Sequence, residues 1–200
     1  MAGYIYISGV YETVVRKGCA IVDEFIDNDP HFYTQPPTWG ICRSDIRKNR
    51  GVGEYVFFVL PAHPKNLPQM IYGYMRIERK TTHEQAYAEG GLRSKRMGRK
   101  NPNGNIIVDA AGAYNVHDGG VHLYDFDRIK KTYMIGDVSD SMYLTTRQIK
   151  KLAPSFQTVL NRVFRKPNAQ MPIDVISRKG RTMTDSQASE LKNWLLSATR

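Results

Sequence analysis

Residues 55–60, with the sequence YVFFVL, limit most strongly what this chain can fold into. These apolar residues follow a Gly-Val-Gly turn and show no polar alternation, which is typical of a strand buried on both faces. A second strand is predicted over residues 70–77, after a proline-rich loop. Because long apolar strands cannot stay exposed on two faces, we expect the two to be neighbours in a sheet that is closed or covered by helices.

Weaker signals for strands and helices surround this pair. Short β-branched and aromatic runs predict further strands over residues 4–7, 106–108, 121–124 and 133–136. Helical signals predict a short helix over 41–49, one turn after Thr145, a second helix from Pro154 to Pro167 and a last helix over 184–198, while residues 19–26 fit a helix or a strand. The sequence therefore predicts an α+β fold.

The charge balance is the most unusual bulk property of the chain. Twenty-nine Lys and Arg residues against nineteen Asp and Glu residues give a net charge of +10. Such an excess favours nucleic acid as a partner, with a merely basic surface as the alternative. No apolar run approaches the ~20 residues that cross a bilayer, and the start MAGYIYISGV lacks the features of a signal peptide. We therefore expect a cytoplasmic protein with no membrane partner.

Aromatic rings and positive charges lie close together in residues 31–50. Phe32, Tyr33 and Trp39 precede a basic segment, and this composition is expected of a protein that stacks bases and neutralises phosphates. In the helix predicted there, three arginines would share one side: Arg43, Arg47 and Arg50. We assign Arg47 and Arg50 to the nucleic acid backbone. The alternative is a core tryptophan beneath a solvated basic helix.

A second basic segment covers residues 92–105, with the sequence LRSKRMGRKNPNGN. It contains no acidic residue, and glycines and asparagines accompany its positive charges. Such a segment is either solvated surface or an arm that contacts the nucleic acid backbone. Its candidate phosphate contacts are Arg93, Lys95, Arg96, Arg99 and Lys100.

Catalytic and metal-binding signals are weak. The best enzymatic alternative is a metal-dependent nuclease, in which Glu78 would hold the metal ion and Lys80 would steady the attacking water. His117 and His122 flank a turn and are the one histidine pair with plausible ligand spacing. Cys19 and Cys42 are too few for a disulfide framework or a thiolate zinc site, so we expect both to be buried. We predict no catalytic residue outside that alternative, no metal and no cofactor.

Four motifs in order resemble a known family. They are WGICR at residues 39–43, the following Ile46-Arg47, GVGEYVFF at residues 51–58, and IYGY at residues 71–74. This pattern resembles the core of the EVE domain of the PUA-like superfamily. Glu54 stands where that family usually has Asp. Residues 1–140 resemble, more closely, the nucleotide-modification-associated domains of bacterial and phage DNA-modification operons.

The resemblance implies a mixed β-barrel over residues 1–142 with helices at its openings, and C-terminal helices over residues 143–200 packed outside. It also implies a non-catalytic protein that recognises a modified nucleobase in DNA, with RNA as the second choice, and that works beside a DNA-modification enzyme. Trp39, helped by Tyr33 or Phe32, would form the stacking wall, and Arg43 and Asp45 would meet the polar edges of the base. The rival classes are the nuclease described above and an interaction or structural protein of a prophage.

Overall fold

The computed structural model describes residues 2–8, 29–32, 35–62, 68–93 and 105–199. In this part, the chain folds as α+β, with a curled six-stranded mixed sheet that forms a half-barrel and with several helices, as the sequence predicts for the fold class. The predicted segment 19–26 lies outside the described residues.

The described strands are β1 (Gly3–Ile7), β2 (Thr38–Trp39), β3 (Tyr55–Val59), β4 (Ile71–Thr81), β5 (Tyr133–Tyr143) and β6 (Arg181–Met183). The described helices are α1 (Ser44–Asn49), α2 (His83–Ala88), α3 (Gly90–Arg93), α4 (Phe126–Ile129), α5 (Thr146–Phe164), α6 (Pro172–Ile176) and α7 (Asp185–Thr199). Two short 3-10 turns span Val116–Asp118 and Leu123–Asp125.

The sheet has the strand order β2-β5-β4-β3-β1-β6. Strand β1 runs parallel to β3 and antiparallel to β6, and β2 runs antiparallel to β5. Every residue of β3 is buried, and β4 is its neighbour. The prediction that these two apolar strands pair at the centre of a sheet is therefore confirmed. No helix in the described part of the chain is long and apolar enough to cross a membrane.

The described residues belong to two compact units. The first unit draws on residues 1–21, 53–75 and 142–200, and the second on residues 22–52 and 76–141. In the first unit, Thr145 and Gln148 form a capping box that starts α5, and the Phe156 and Trp194 rings stack with centroids 6.1 Å apart. The predicted capping box of Thr184 and Gln187 is also present and starts α7.

Several local predictions are wrong. Helix α5 continues through Pro154 rather than breaking there, because the apolar face that includes Leu152 and Phe156 stays buried on both sides of the proline. The predicted strand at residues 121–124 is a turn followed by a 3-10 turn, and that at residues 106–108 contributes a single bridge between Val108 and Tyr114. Strand β6 was not predicted at all.

Candidate functional site

In the second unit, a buried carboxylate holds the chain segment that follows Trp39. Oδ1 of Asp29 accepts the backbone N–H of Gly40 at 2.8 Å, and Oδ2 accepts those of Ile41, at 2.8 Å, and Cys42. Asn105 also donates to Oδ1, at 2.9 Å. Four donors therefore meet one buried carboxylate, which fixes the backbone of residues 40–42.

A buried guanidinium holds the same segment from its carbonyl side. Arg47 donates through Nη2 to the carbonyl of Ile41 at 2.9 Å and through Nε to that of Cys42 at 3.0 Å, and Nη1 reaches the carbonyl of Thr132. The Arg47 residue is 0 % exposed. We define residues 40–42, with Asp29 on their N–H side and Arg47 on their C=O side, as the clamped segment.

This geometry corrects the predicted role of Arg47. Helix α1 begins only at Ser44, so Arg43 precedes it with a left-handed φ of 53° and Arg50 follows its end. The three guanidinium groups therefore do not share one side of a helix. Arg47 is enclosed and occupied by backbone carbonyls, so it does not reach a phosphate in this structure.

Asn105 links the clamped segment to the neighbouring strands. It donates to the carbonyl of Thr38 at 3.2 Å, and its Oδ1 accepts from the hydroxyl groups of Thr38 at 3.1 Å and Tyr133 at 2.5 Å. Burial raises the pKa of the Tyr133 hydroxyl, which keeps it a donor. A Cβ on Gly40 would stand 2.4 Å from the Asn105 carbonyl oxygen, so only glycine fits there.

His83 completes this buried network as a neutral imidazole. Its Nδ1 accepts the backbone N–H of Ile107 at 3.2 Å, so Nε2 carries the proton and donates to the carbonyl of Gly40 at 2.8 Å. Burial, with the nearby charge of Arg47, lowers the pKa of His83 to about 3. The network is therefore structural, and its polar groups are bound to one another.

The predicted base-stacking rings occupy buried positions. Trp39 is 0 % exposed and Phe32 is 3 % exposed, while Tyr33 lies outside the described residues. No base stacks on a ring that is enclosed on both faces, so this placement favours the core interpretation for Trp39 and Phe32 in this conformation. Burial also raises the pKa of Cys42 to about 12, so its thiol is neutral, but the residue is partly exposed rather than fully buried as predicted.

Arg43 and Asp45 lie together at the surface. The guanidinium makes two hydrogen bonds to the carboxylate, from Nε at 3.0 Å and from Nη2 at 2.8 Å. The hydrogen bond from Arg43 lowers the pKa of Asp45, which keeps it charged. The two residues thus form the planar paired arrangement that can meet polar groups of a ligand, although their role toward a base stays a prediction.

The structure places both residues of the nuclease alternative on β4, where their catalytic role stays a prediction. Lys80 donates through Nζ to the backbone carbonyls of Lys48 at 3.1 Å and Arg50 at 2.7 Å, which ties β4 to the end of α1. Glu78 is exposed. The described residues contain no group of three or more His, Cys, Asp or Glu side chains that could hold a metal ion.

The second basic segment falls mostly outside the described residues. Arg93 ends α3, and the remaining candidate phosphate contacts lie beyond the described ranges: Lys95, Arg96, Arg99 and Lys100. The role of this segment as a phosphate-binding arm stays a prediction.

Tyr114, Asp118 and His122 form a polar cluster that the sequence pattern does not predict. Nδ1 of His122 lies 3.0 Å from each carboxylate oxygen of Asp118, and the His122 backbone N–H donates to Oδ2 at 3.1 Å. The Tyr114 hydroxyl donates to the same oxygen. The side chains of His122 and Asp118 are 23 % and 7 % exposed. We call these three residues the histidine cluster.

Each member of the histidine cluster has a shifted pKa. The hydrogen bond to Asp118 raises the pKa of His122 against the opposing effect of burial. Burial raises the pKa of Asp118, but the hydrogen bonds from His122 and Tyr114 outweigh it and lower the pKa. Burial and the hydrogen bond to Asp118 raise the pKa of Tyr114 to about 12. The three shifts favour an imidazolium beside a carboxylate.

The two 3-10 turns around the histidine cluster also expose apolar side chains to solvent. Tyr124 is 93 % exposed and Val116 is 78 % exposed, while Val121 and Leu123 are 66 % and 57 % exposed. We call residues 116–124 the exposed turn. The turn between His117 and His122 is predicted correctly, but the apolar residues after it are too few to show a period, which is typical of a surface loop as much as of the predicted strand over residues 121–124.

The fold and this site define an α+β protein with a half-barrel sheet, a rigid buried polar network, and an exposed aromatic turn beside a histidine–carboxylate pair. No protein-family model matches the chain, and no curated protein or solved structure matches it either.

Proposed function

We propose that this protein binds nucleic acid and recognises a modified base in DNA, with RNA as the second choice, and that it does so without catalysis. The observation that carries the proposal is the exposed turn, where the Tyr124 ring is 93 % exposed. A solvated aromatic ring on a protein of net charge +10 is the combination that stacks a base and attracts its phosphates.

The charges that follow the exposed turn support this proposal. Arg128, Lys130 and Lys131 come directly after it in the chain, and Lys130 lies 4.8 Å above the Phe126 ring. Asp125 and Asp127 are also present, but each is paired with one of these cations. The region therefore combines an exposed ring with three cations and two carboxylates, which leaves one positive charge in excess over residues 125–131.

The preference for a modified base in DNA rests on the resemblance to EVE-like and nucleotide-modification-associated domains. The PUA-like identity of the half-barrel is part of the same proposal. A DNA-modification enzyme is the proposed protein partner. Because Trp39 is buried, we place the stacking ring at Tyr124 rather than in the predicted aromatic wall.

The experiment measures binding of the protein to matched oligonucleotides by fluorescence anisotropy. The set contains single- and double-stranded DNA and RNA, each with and without modified bases, and each with and without Mg²⁺. Selective binding to modified DNA supports the proposal. Cleavage in the presence of Mg²⁺ would instead favour the metal-dependent nuclease. If the protein neither binds nor cleaves any oligonucleotide, the remaining alternative is an interaction or structural protein.

One variant pair tests the stacking ring. Tyr124→Ala should weaken binding by about tenfold, because removal of one stacking ring costs ~1–3 kcal/mol. Tyr143→Ala is the matched control, since Tyr143 is a tyrosine that is 40 % exposed on β5. Both variants should keep the wild-type melting temperature. Equal affinities of the two variants for modified DNA would remove Tyr124 from the site.

A further inference from the structure

The histidine cluster leaves one ring nitrogen of His122 directed away from its carboxylate. Nδ1 is used by Asp118, whose two oxygens both lie 3.0 Å from it. Among the described residues, none makes a hydrogen bond to Nε2. Because Nδ1–H faces Asp118, Nε2 on the other edge of the ring is a donor when the imidazole is protonated and an acceptor when it is neutral.

The orientation of this ring is fixed by several contacts. Asp118 accepts from the imidazole, from the backbone N–H of His122 and from the Tyr114 hydroxyl. Its side chain is 7 % exposed, so water competes little for these bonds. The ring of Tyr114 packs edge-on against Phe126, with centroids 5.4 Å apart. A donor held in this way is preorganised for a ligand.

The charged groups that face His122 come from three parts of the second unit. They are Asp118 within the cluster, Asp29 of the clamped segment, and Asp125 of the second 3-10 turn, and all three raise its pKa. Tyr114 also faces the cluster and stays protonated, because burial raises its pKa to about 12. His122 is therefore positively charged over a wider pH range than an ordinary histidine.

These carboxylates do not repel an anion as free ones would. Asp29 is occupied by four N–H donors, Asp125 is paired with Arg128 at 2.6 Å, and Asp118 is compensated by His122 itself. The exposed turn has no further acidic side chain. An anion that approaches Nε2 thus meets the N–H of an ion-paired imidazolium, and the His122–Asp118 pair carries no net negative charge that would repel it.

We propose that Nε2 of His122 donates a hydrogen bond to a phosphate oxygen, so that the exposed turn contains a phosphate subsite next to the Tyr124 ring. This inference rests on the proposed function and adds to it a dependence of nucleic acid binding on pH. Binding should be strongest where His122 is protonated, below its pKa, and should weaken as the pH rises through that value. A phosphodiester of nucleic acid is the proposed source of the phosphate, and free inorganic phosphate shares its chemistry.

The first arm of the test measures DNA affinity by anisotropy between pH 5.5 and 8.5 at several salt concentrations. We expect the affinity of the wild type to fall about tenfold over this range, which is the size of one charge-assisted hydrogen bond. His122→Gln should remove the pH dependence and, below pH 6, reduce the salt slope by about 0.9. His117→Gln is the matched control, because His117 lies in the same turn and is exposed.

Asp118→Asn distinguishes a binding role from a structural one. Loss of the carboxylate lowers the pKa of His122, so the pH midpoint of binding should move downward while affinity at the lowest pH is retained. A second arm follows the imidazole nitrogen signals of His122 by NMR during a titration with inorganic phosphate. Thermal melting confirms that each variant is folded.

The outcomes separate this inference from the proposed function. If DNA binding is present but has the same pH dependence in His122→Gln as in the wild type, the inference is refuted and the proposed function stands. If no nucleic acid binds at any pH, the proposed function fails. A phosphate-induced shift of the His122 signals would then retain the phosphate subsite for another ligand, and no shift would refute both.

Discussion

The clamped segment gives the sharpest prediction about stability. Arg47→Met keeps much of the side-chain length and removes a guanidinium that is 0 % exposed and bound to three backbone carbonyls. The carbonyls of Ile41, Cys42 and Thr132 would lose these donors. Each hydrogen bond to a charged group contributes ~1.5–3 kcal/mol. The apolar replacement recovers part of that sum, because it no longer requires a buried charge.

We therefore expect Arg47→Met to lower the free energy of unfolding by about 3–5 kcal/mol, a large share of the ~5–15 kcal/mol of an ordinary domain. Equilibrium urea unfolding, followed by circular dichroism, measures this value. Arg43→Met is the matched control, because its ion pair with Asp45 is exposed and should contribute at most ~1 kcal/mol. Because Arg43 and Arg47 lie in the same stretch of chain, the difference between the unfolding free energies of the two variants measures the effect of burying the guanidinium.

A double-mutant cycle with Asp29→Asn tests the clamp itself. Asp29 and Arg47 hold opposite sides of the same peptide groups, so the two losses should not add. A loss below ~1 kcal/mol in Arg47→Met, or equal losses in Arg47→Met and Arg43→Met, would contradict a stabilising role of the buried guanidinium. Additive losses would show that the carboxylate and the guanidinium act independently.

Three further predictions concern the same unit. His83 has a pKa of about 3 in the folded protein, below its ordinary value near 6.5. Its contribution to stability is therefore complete above pH 6.5 and is lost at ~1.4 kcal/mol per pH unit as the pH falls below that value. Urea unfolding at several pH values should show that this slope is absent in His83→Gln. Gly40→Ala should destabilise the fold severely, because its Cβ would stand 2.4 Å from a backbone oxygen, whereas Gly91→Ala meets nothing within 4 Å and should leave the melting temperature unchanged. In a Cys19→Ser background, Cys42 should react with a thiol reagent at pH 8 much more slowly in the folded protein than in urea, because a pKa of about 12 leaves very little thiolate; equal labelling rates would contradict this.

The sequence predicted those elements whose signals are local and long. The strand at residues 55–59 follows from an uninterrupted apolar run and its neighbour β4 from a run rich in apolar and aromatic residues, and the last helix follows from its capping box. The proline in α5 misled the prediction, because a buried apolar face outweighs one lost hydrogen bond. The strand predicted over residues 121–124 is wrong, because four residues are too few to distinguish the period of a strand from that of a helix or a turn.

The candidate site was harder to predict because its contacts are long-range. Asp29 and Asn105 are distant in sequence, and no spacing rule brings them together. Arg47 resembled a surface residue because arginine is rarely buried, and only the carbonyls around it show why it is buried here. The pairing of Asp118 with His122 is a local i, i+4 contact, but the predicted strand over residues 121–124 assigns His122 to a different element from Asp118, which lies in the preceding turn.

Strand β1 has a consequence for synthesis of the protein in the cell. Its Gly3 pairs with Met183 of β6, and its other edge pairs with β3. At ~5–20 residues per second, the ribosome needs roughly 10–40 s to make the chain between these partners. During that interval one edge of β1 is open to pairing with other chains, which is the arrangement that favours aggregation. A nascent chain stalled before residue 181 would therefore be a substrate for chaperones, although most of the central sheet had already emerged.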